Sequence, residues 1–244
     1  MNAADARIIV LETSGRVGQV ALARGGALLA LRRLDEARRH ARDLVPALRD
    51  LLDEQKWRPR DIQAVIVSRG PGSYTGLRVG IMSAKTFAYA TGCVLLAVDT
   101  FAAIALQAPA QVGRLDVIAD AQQDKVYVQA FARSAEANAW VARTELRIVK
   151  ANDWLAGREP DAWVSGPGLH SLAARLRGVP MVPSQDWEPR AESLLQIGCE
   201  QLLRGERHDL WSLEPLYLRP SSAEEKWRAR PNANQGSDRS KSEG

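Results

Sequence analysis

Residues 7–23 read RIIVLETSGRVGQVALA, and residues 115–132 read LDVIADAQQDKVYVQAFA. Each begins with a short apolar run that closes on an acid, Glu12 or Asp120, and continues through a polar turn into a second apolar strand. Runs this short fit strands better than helices. After the first copy, Gly25-Gly26 set off a third strand at 28–34, which makes an antiparallel meander. A helix over 40–55 follows, with Leu44, Val45, Leu48, Leu51 and Leu52 on one stripe. Asp43 is placed to cap it, so that Pro46 falls in the tolerant first turn. Next come a strand at 62–68, a helix at 74–90, a strand at 94–98 and a short helix at 101–107 closed by Pro109. The second copy predicts strands at 143–149, 162–165 and 179–182, a helix at 169–176 and an amphipathic helix at 191–203. Two successive units of meander, helix, strand and helix predict a duplicated α/β architecture with a cleft between halves 1–110 and 111–220. Residues 221–244 are expected to form a disordered tail, since 231–244 hold no aliphatic beyond Ala233.

The strand at 62–68 passes into the helix at 74–90 through SRGPGSYTGLRVG, residues 68–80. The glycines and Pro71 impose an unusual backbone path, and Ser73 or Thr75 can cap the helix. Two readings follow. Amides at a helix start suit an anion, which makes Gly70, Gly72 and Ser73 candidates for a phosphate or relic nucleotide site together with Glu12, Thr13, Ser14 and Asp120. Alternatively, Gly76, Gly80, Ala84 and Ala88 recur every four residues and leave one helix face nearly bare. Two internal glycines cost roughly 0.8–1 kcal/mol each relative to alanine, and close approach of another element would offset that. The bare face therefore marks either a core contact or a protein interface.

Composition bounds the rest. The chain has 244 residues, 45% of them hydrophobic, with a formal net charge of +4. No basic block is interleaved with aromatics, and the arginines at 38, 39 and 42 read as a solvated helix approach before a nucleic-acid patch. Cys93 and Cys199 stand far apart, against a disulfide scaffold or structural zinc site and for a reducing compartment. There is no signal-like start and no apolar run long enough to span a membrane, so a cytoplasmic protein is expected.

The duplicated meander with an acid after the first strand of each half resembles the actin, sugar kinase and Hsp70 superfamily, a ribonuclease H-like fold with a mixed five-stranded sheet in each half. More narrowly, IIVLETS at 8–14, His40 leading LVPALRDLL, the glycine-rich block at 68–80, AVDTFAAIA at 97–105, ADAQQDKVY at 119–127 and EPLYLRP at 214–220 resemble the TsaB (YeaZ) family. The resemblance implies a non-catalytic subunit needed for N6-threonylcarbamoylation of adenosine 37 in tRNAs that read ANN codons. It implies pairing with a TsaD-like transferase, a TsaE-like ATPase in the larger complex, only indirect contact with tRNA, a homodimer when alone, and no cofactor.

In TsaD-like proteins one helix carries two metal-ligating histidines four apart. Here His40 is followed four positions later by Leu44, and His170 and His208 stand alone, so no metal site is expected. The turn after Asp120 lacks the glycine of a phosphate hairpin, and Ser165-Gly166-Pro167-Gly168 is the nearest approach to a late adenosine-binding segment. The expected partner surface comprises His40, Leu44, Leu48 and Leu51 on the first helix and Tyr74, Thr75, Gly76, Arg78, Gly80 and Ala84 on the second. The alternative is a stand-alone ATP-dependent kinase or transferase, with Glu12 and Asp120 at a metal and the 70–76 turn on phosphate.

Overall fold

The computed structural model describes residues 5–34, 40–134 and 139–218. Arg38, Arg39, the expected tail at 221–244 and the side chain of His40 lie outside what is described. The first sheet runs β3(Ala27–Arg33), β2(Gln19–Arg24), β1(Arg7–Glu12), β4(Ala64–Gly70), β5(Val94–Asp99). Within it, β1–β2 and β2–β3 are antiparallel, while β1–β4 and β4–β5 are parallel. The second sheet repeats this order. β7(Lys125–Arg133) pairs antiparallel with β6(Arg114–Asp120), which pairs parallel with β10(Trp163–Ser165). On its other side β7 carries both β8(Trp140–Ala142) and β9(Arg147–Lys150). The architecture is the duplicated α/β fold that the two acid-terminated strands predict.

Strand alternation sorts the core. Ile9, Leu11, Val65, Val67 and Leu95 face α1(His40–Glu54) and α2(Tyr74–Thr91), whereas Ile8, Val10, Ile66, Leu96 and Val98 face α6(Ala191–Leu203). Between the halves lies α3(Thr100–Leu106), whose Phe101 and Ile104 pack on Leu115, Val117 and Phe131 of the second sheet. The far face of that sheet is covered by α4(Ala151–Gly157) and α5(Leu169–Leu172). The division expected at 110/111 is crossed by α6, because Leu194 and Leu195 are buried on the first sheet. Residues 206–218 continue across that same half, where Leu213 is buried in the apolar cluster that α1 and α2 share with the first sheet.

Four local expectations are corrected. The third strand of the second half is interrupted: Ala130 N donates to Thr144 Oγ1, and Gln129 Nε2 to Thr144 O, so side-chain bonds replace the ladder between β8 and β9. The strand at 179–182 reduces to one parallel bridge, Val164 to Met181, flanked by Pro180 and Pro183, which have no N–H to give a ladder. The helix at 169–176 is α5 followed by a separate 3-10 turn, Ala173–Arg175. Finally, α1 starts at His40, so Pro46 sits in its interior. Its ring is exposed there, and the bond it forfeits is to the Arg42 carbonyl.

Candidate functional site

β1 ends in Glu12, which is fully buried. Its Oε1 accepts from Ser14 N and Ser14 Oγ, both at 2.6 Å, and from Gly15 N at 3.0 Å. Thr100 Oγ1 donates to Ser14 Oγ (3.0 Å), and Thr13 N donates to Ser68 Oγ (3.3 Å). Among the described residues Oε2 of Glu12 has no hydrogen-bond partner. Burial raises the Glu12 pKa above its ordinary value, against the lowering effect of the Ser14 and Gly15 bonds. The turn amides that would cradle a phosphate therefore already hold a carboxylate belonging to the chain.

The glycine-rich segment is mated to this turn. Ser73 N donates to Ser14 O (2.8 Å), and Ser73 Oγ caps α2 by accepting from Gly76 N (3.2 Å). A Cβ on Gly72 would lie 2.5 Å from Ser14 O, and one on Gly76 would overlap Thr13 O. At Gly80 it would overlap Thr13 Oγ1. The four-residue glycine spacing thus lets α2 lie directly on the end of β1. Gly70, at φ +111°, leads into the cis Gly70–Pro71 bond.

Residues 184–190 bridge the two halves. Glu188 Oε2 accepts from Arg16 N (3.3 Å) and its Oε1 meets His170 Nε2 at 2.8 Å. From the first half, Gln107 Nε2 donates to the carbonyls of Asp186 and Glu188 (3.1 and 2.8 Å). Gln19 Nε2 donates to Pro189 O (3.1 Å), and Gln19 Oε1 accepts from Ala191 N (3.0 Å). Ser165 Oγ on β10 donates to Asp186 O (3.3 Å). A second carboxylate therefore sits at the same turn, and both halves are bolted to one segment.

Glu12, Thr13, Ser14, Gly72 and Ser73 come together as expected, but as packing partners of one another. Asp120 does not join them. It lines a separate pocket of about 400 Å³ with Lys125, Ser171 and Arg175. There its Oδ1 accepts from Gln122 N (2.7 Å). The kinase-like alternative loses the shared site it requires.

The expected partner residues divide by burial. Leu44, Leu48 and Leu51 are buried under the first sheet, and Ala84 joins the same cluster. Gly76 and Gly80 face Thr13, so the bare face of α2 is a core contact within the chain. Of the expected residues Thr75 and Arg78 point outward, and Val45 on α1 with Met82 and Tyr89 on α2 join them there. Met82 and Tyr89 are 59% and 70% exposed. Tyr74 is half-buried, stacked on Tyr217 at 4.7 Å with the Arg78 guanidinium 4.4 Å from its ring. Sequence reasoning missed the 206–218 segment as a part of this surface, along with Gln19, Gln107 and Glu188. The aromatic pair Tyr74 and Tyr217 carried no periodic signal that joins them.

Comparison with known proteins agrees with this architecture over nearly the whole chain. Tsa-type similarity first appears at residues 34–150, which match the family model "TsaD: tRNA N6-adenosine threonylcarbamoyltransferase". The tRNA threonylcarbamoyladenosine biosynthesis protein TsaB of Bacillus subtilis (strain 168) is 28% identical over 229 residues, covering 90% of this chain and 97% of that protein. The protein of the same name from Escherichia coli (strain K12) is 27% identical, covering 92% and 98%. The solved structure of YeaZ from Pseudomonas aeruginosa superimposes with a TM-score of 0.74 at 26% identity, covering 87% of this chain and all of that one. Along nearly its whole length the chain is similar to proteins of the TsaB/YeaZ family. The TsaB/YeaZ similarity spans both sheets, whereas the TsaD-like stretch starts at the end of β3 and closes on β9.

Proposed function

We propose that this chain is an accessory, non-catalytic subunit in the formation of N6-threonylcarbamoyladenosine at position 37 of tRNA, acting by pairing with a TsaD-like transferase. The observation that carries the proposal is the state of the turn after β1. Its amides are engaged by Glu12 and Glu188, where 184–190 bridge the two halves, in a chain whose full-length relatives are named for this pathway. Such a chain would work by what it binds on its outside.

The surface that supports pairing is the outer face of α1 and α2. Val45, Met82 and Tyr89 are large apolar side chains left in solvent on adjacent helices. Arg78 flanks them and is exposed. Aromatic, methionine and arginine side chains are those enriched where proteins meet. The test is to mix the purified chain with its host's TsaD-like protein and measure the complex by size exclusion. A stable complex is expected, and the double variant Met82→Asp, Tyr89→Asp should elute as a free chain. A complex unaffected by both changes would displace the interface from this face.

A further inference from the structure

β5 is the edge strand of the first sheet, and its outer edge is covered by residues 206–218. An uncovered edge offers unpaired amides and carbonyls. Here His208 stands in for a residue of a sixth strand. Its backbone N donates to Leu95 O (2.8 Å), and its ring Nδ1 accepts from Ala97 N (3.2 Å). Gln201 on α6 donates to Ala97 O (3.2 Å). Beyond His208 the segment is clipped three times more. Lys85 Nζ donates to the carbonyls of Trp211 and Leu213 (3.4 and 3.2 Å), Leu216 N donates to Arg69 O (2.8 Å), and Tyr217 stacks on Tyr74.

We propose that residues 206–218 form a separable strap over the edge of β5, and that the imidazole of His208 is its proton-sensitive latch. A backbone amide is only a donor, so Nδ1 must be unprotonated to accept from Ala97. Protonation sets an N–H against an N–H, and the ring must leave its place. The charged groups about the ring are Arg69, which disfavours a second positive charge, and Asp99 and Glu206, which favour one. Arg69 is paired with Asp99, and Glu206 with Arg204 (2.6 Å). Asp209, next in the chain, already accepts from Trp211 N and Ser212 N (3.0 and 2.8 Å). Burial and Arg69 lower the His208 pKa below its ordinary 6.5. A group with a depressed pKa in the closed form supports closure fully above its open-form value, and that support is lost as pH falls through the closed-form value. The strap is therefore shut at neutral pH and loosens in mild acid. Its far end, Tyr217, rests on Tyr74 at the start of α2, so opening frees the start of that helix.

The latch is a property of the isolated chain and stands or falls independently of any partner. It is tested by amide hydrogen exchange between pH 7.5 and 5.0, with rates normalised to the intrinsic exchange of each amide. Protection of Ala97 and Leu216 should fall below pH 6.5 by up to about tenfold per pH unit, while Ile9 and Val10 in β1 stay unchanged. In His208→Asn the amide oxygen can accept from Ala97 without titrating, so protection should persist across the range. In His208→Ala it should be low at both ends. A flat profile in the unaltered chain, the same acid loss in His208→Asn, or full protection in His208→Ala would each overturn the latch.

Discussion

Replacing Gly76 by alanine separates the two explanations of the bare helix face. In an unhindered helix alanine is favoured over glycine by roughly 0.8–1 kcal/mol. Here the added Cβ overlaps the carbonyl oxygen of Thr13, a backbone atom at the end of a fully buried strand that cannot rotate away. Relief requires α2 to move off β1. That weakens the Ser73 N to Ser14 O bond, worth about 1 kcal/mol, and disturbs the seats of Leu77 and Ile81, where overpacking costs about 1–3 kcal/mol. After the propensity gain the variant should be destabilised by roughly 1–3 kcal/mol. For a chain of this length each kcal/mol lowers Tm by about 2–4 °C. Urea unfolding followed by circular dichroism measures it, with Thr86→Ala on the exposed face of the same helix as a control that should gain about 0.5 kcal/mol. A Gly76→Ala protein as stable as the unaltered chain, or more so, would refute the close approach and return the bare face to a partner.

Tyr89→Asp gives up the edge contact with the Trp211 ring and should cost about 0.5–1.5 kcal/mol of stability while weakening the complex with the TsaD-like protein, which isothermal titration of the folded variant reads directly. Glu12→Gln keeps an oxygen for the Ser14 and Gly15 donors and removes the charge. Because burial raises the Glu12 pKa above 4.5, its stabilising contribution is complete below that value and is lost as pH rises through the folded pKa. The glutamine variant should therefore gain on the unaltered chain as unfolding is followed from pH 4.5 to 8, and a constant difference would disprove the assignment. Glu188→Ala removes the carboxylate that joins Arg16 to His170 and should speed exchange at the Arg16 amide. Unchanged protection there would show that the segment at 184–190 does not hold the cleft.

What the sequence makes legible follows physical range. The two sheets are written in short apolar runs, RIIVLE and LDVIAD, whose strands are buried on both faces, and their shared strand order follows from the repeated meander. The cap at Ser73 and the stop at Gly92, which is left-handed at φ +75°, are local signals too. The glycines at 72, 76 and 80 announce a close approach, but spacing alone does not say to what. The answer, Thr13 and Ser14, lies some sixty residues away. Glu188 reaches Arg16 across 172 positions, and His208 reaches Ala97 across 111, through single side-chain bonds that no periodic pattern records. The same limit explains the partner residues. The leucines of α1 turn to its own sheet, whereas Val45, which the same apolar pattern includes, turns outward, because adjacent apolar positions on a helix do not share one face.

The claim that this chain serves a transferase from outside the chemistry is tested most directly by reconstituting tRNA threonylcarbamoylation from purified proteins. Modified adenosine would be quantified with the TsaD-like protein alone, with this chain alone, and with both, in the presence of the threonylcarbamoyl donor. Modification should require both proteins, and the Met82→Asp, Tyr89→Asp variant should fail to support it. Full modification by the TsaD-like protein alone, or turnover by this chain alone, would contradict the account.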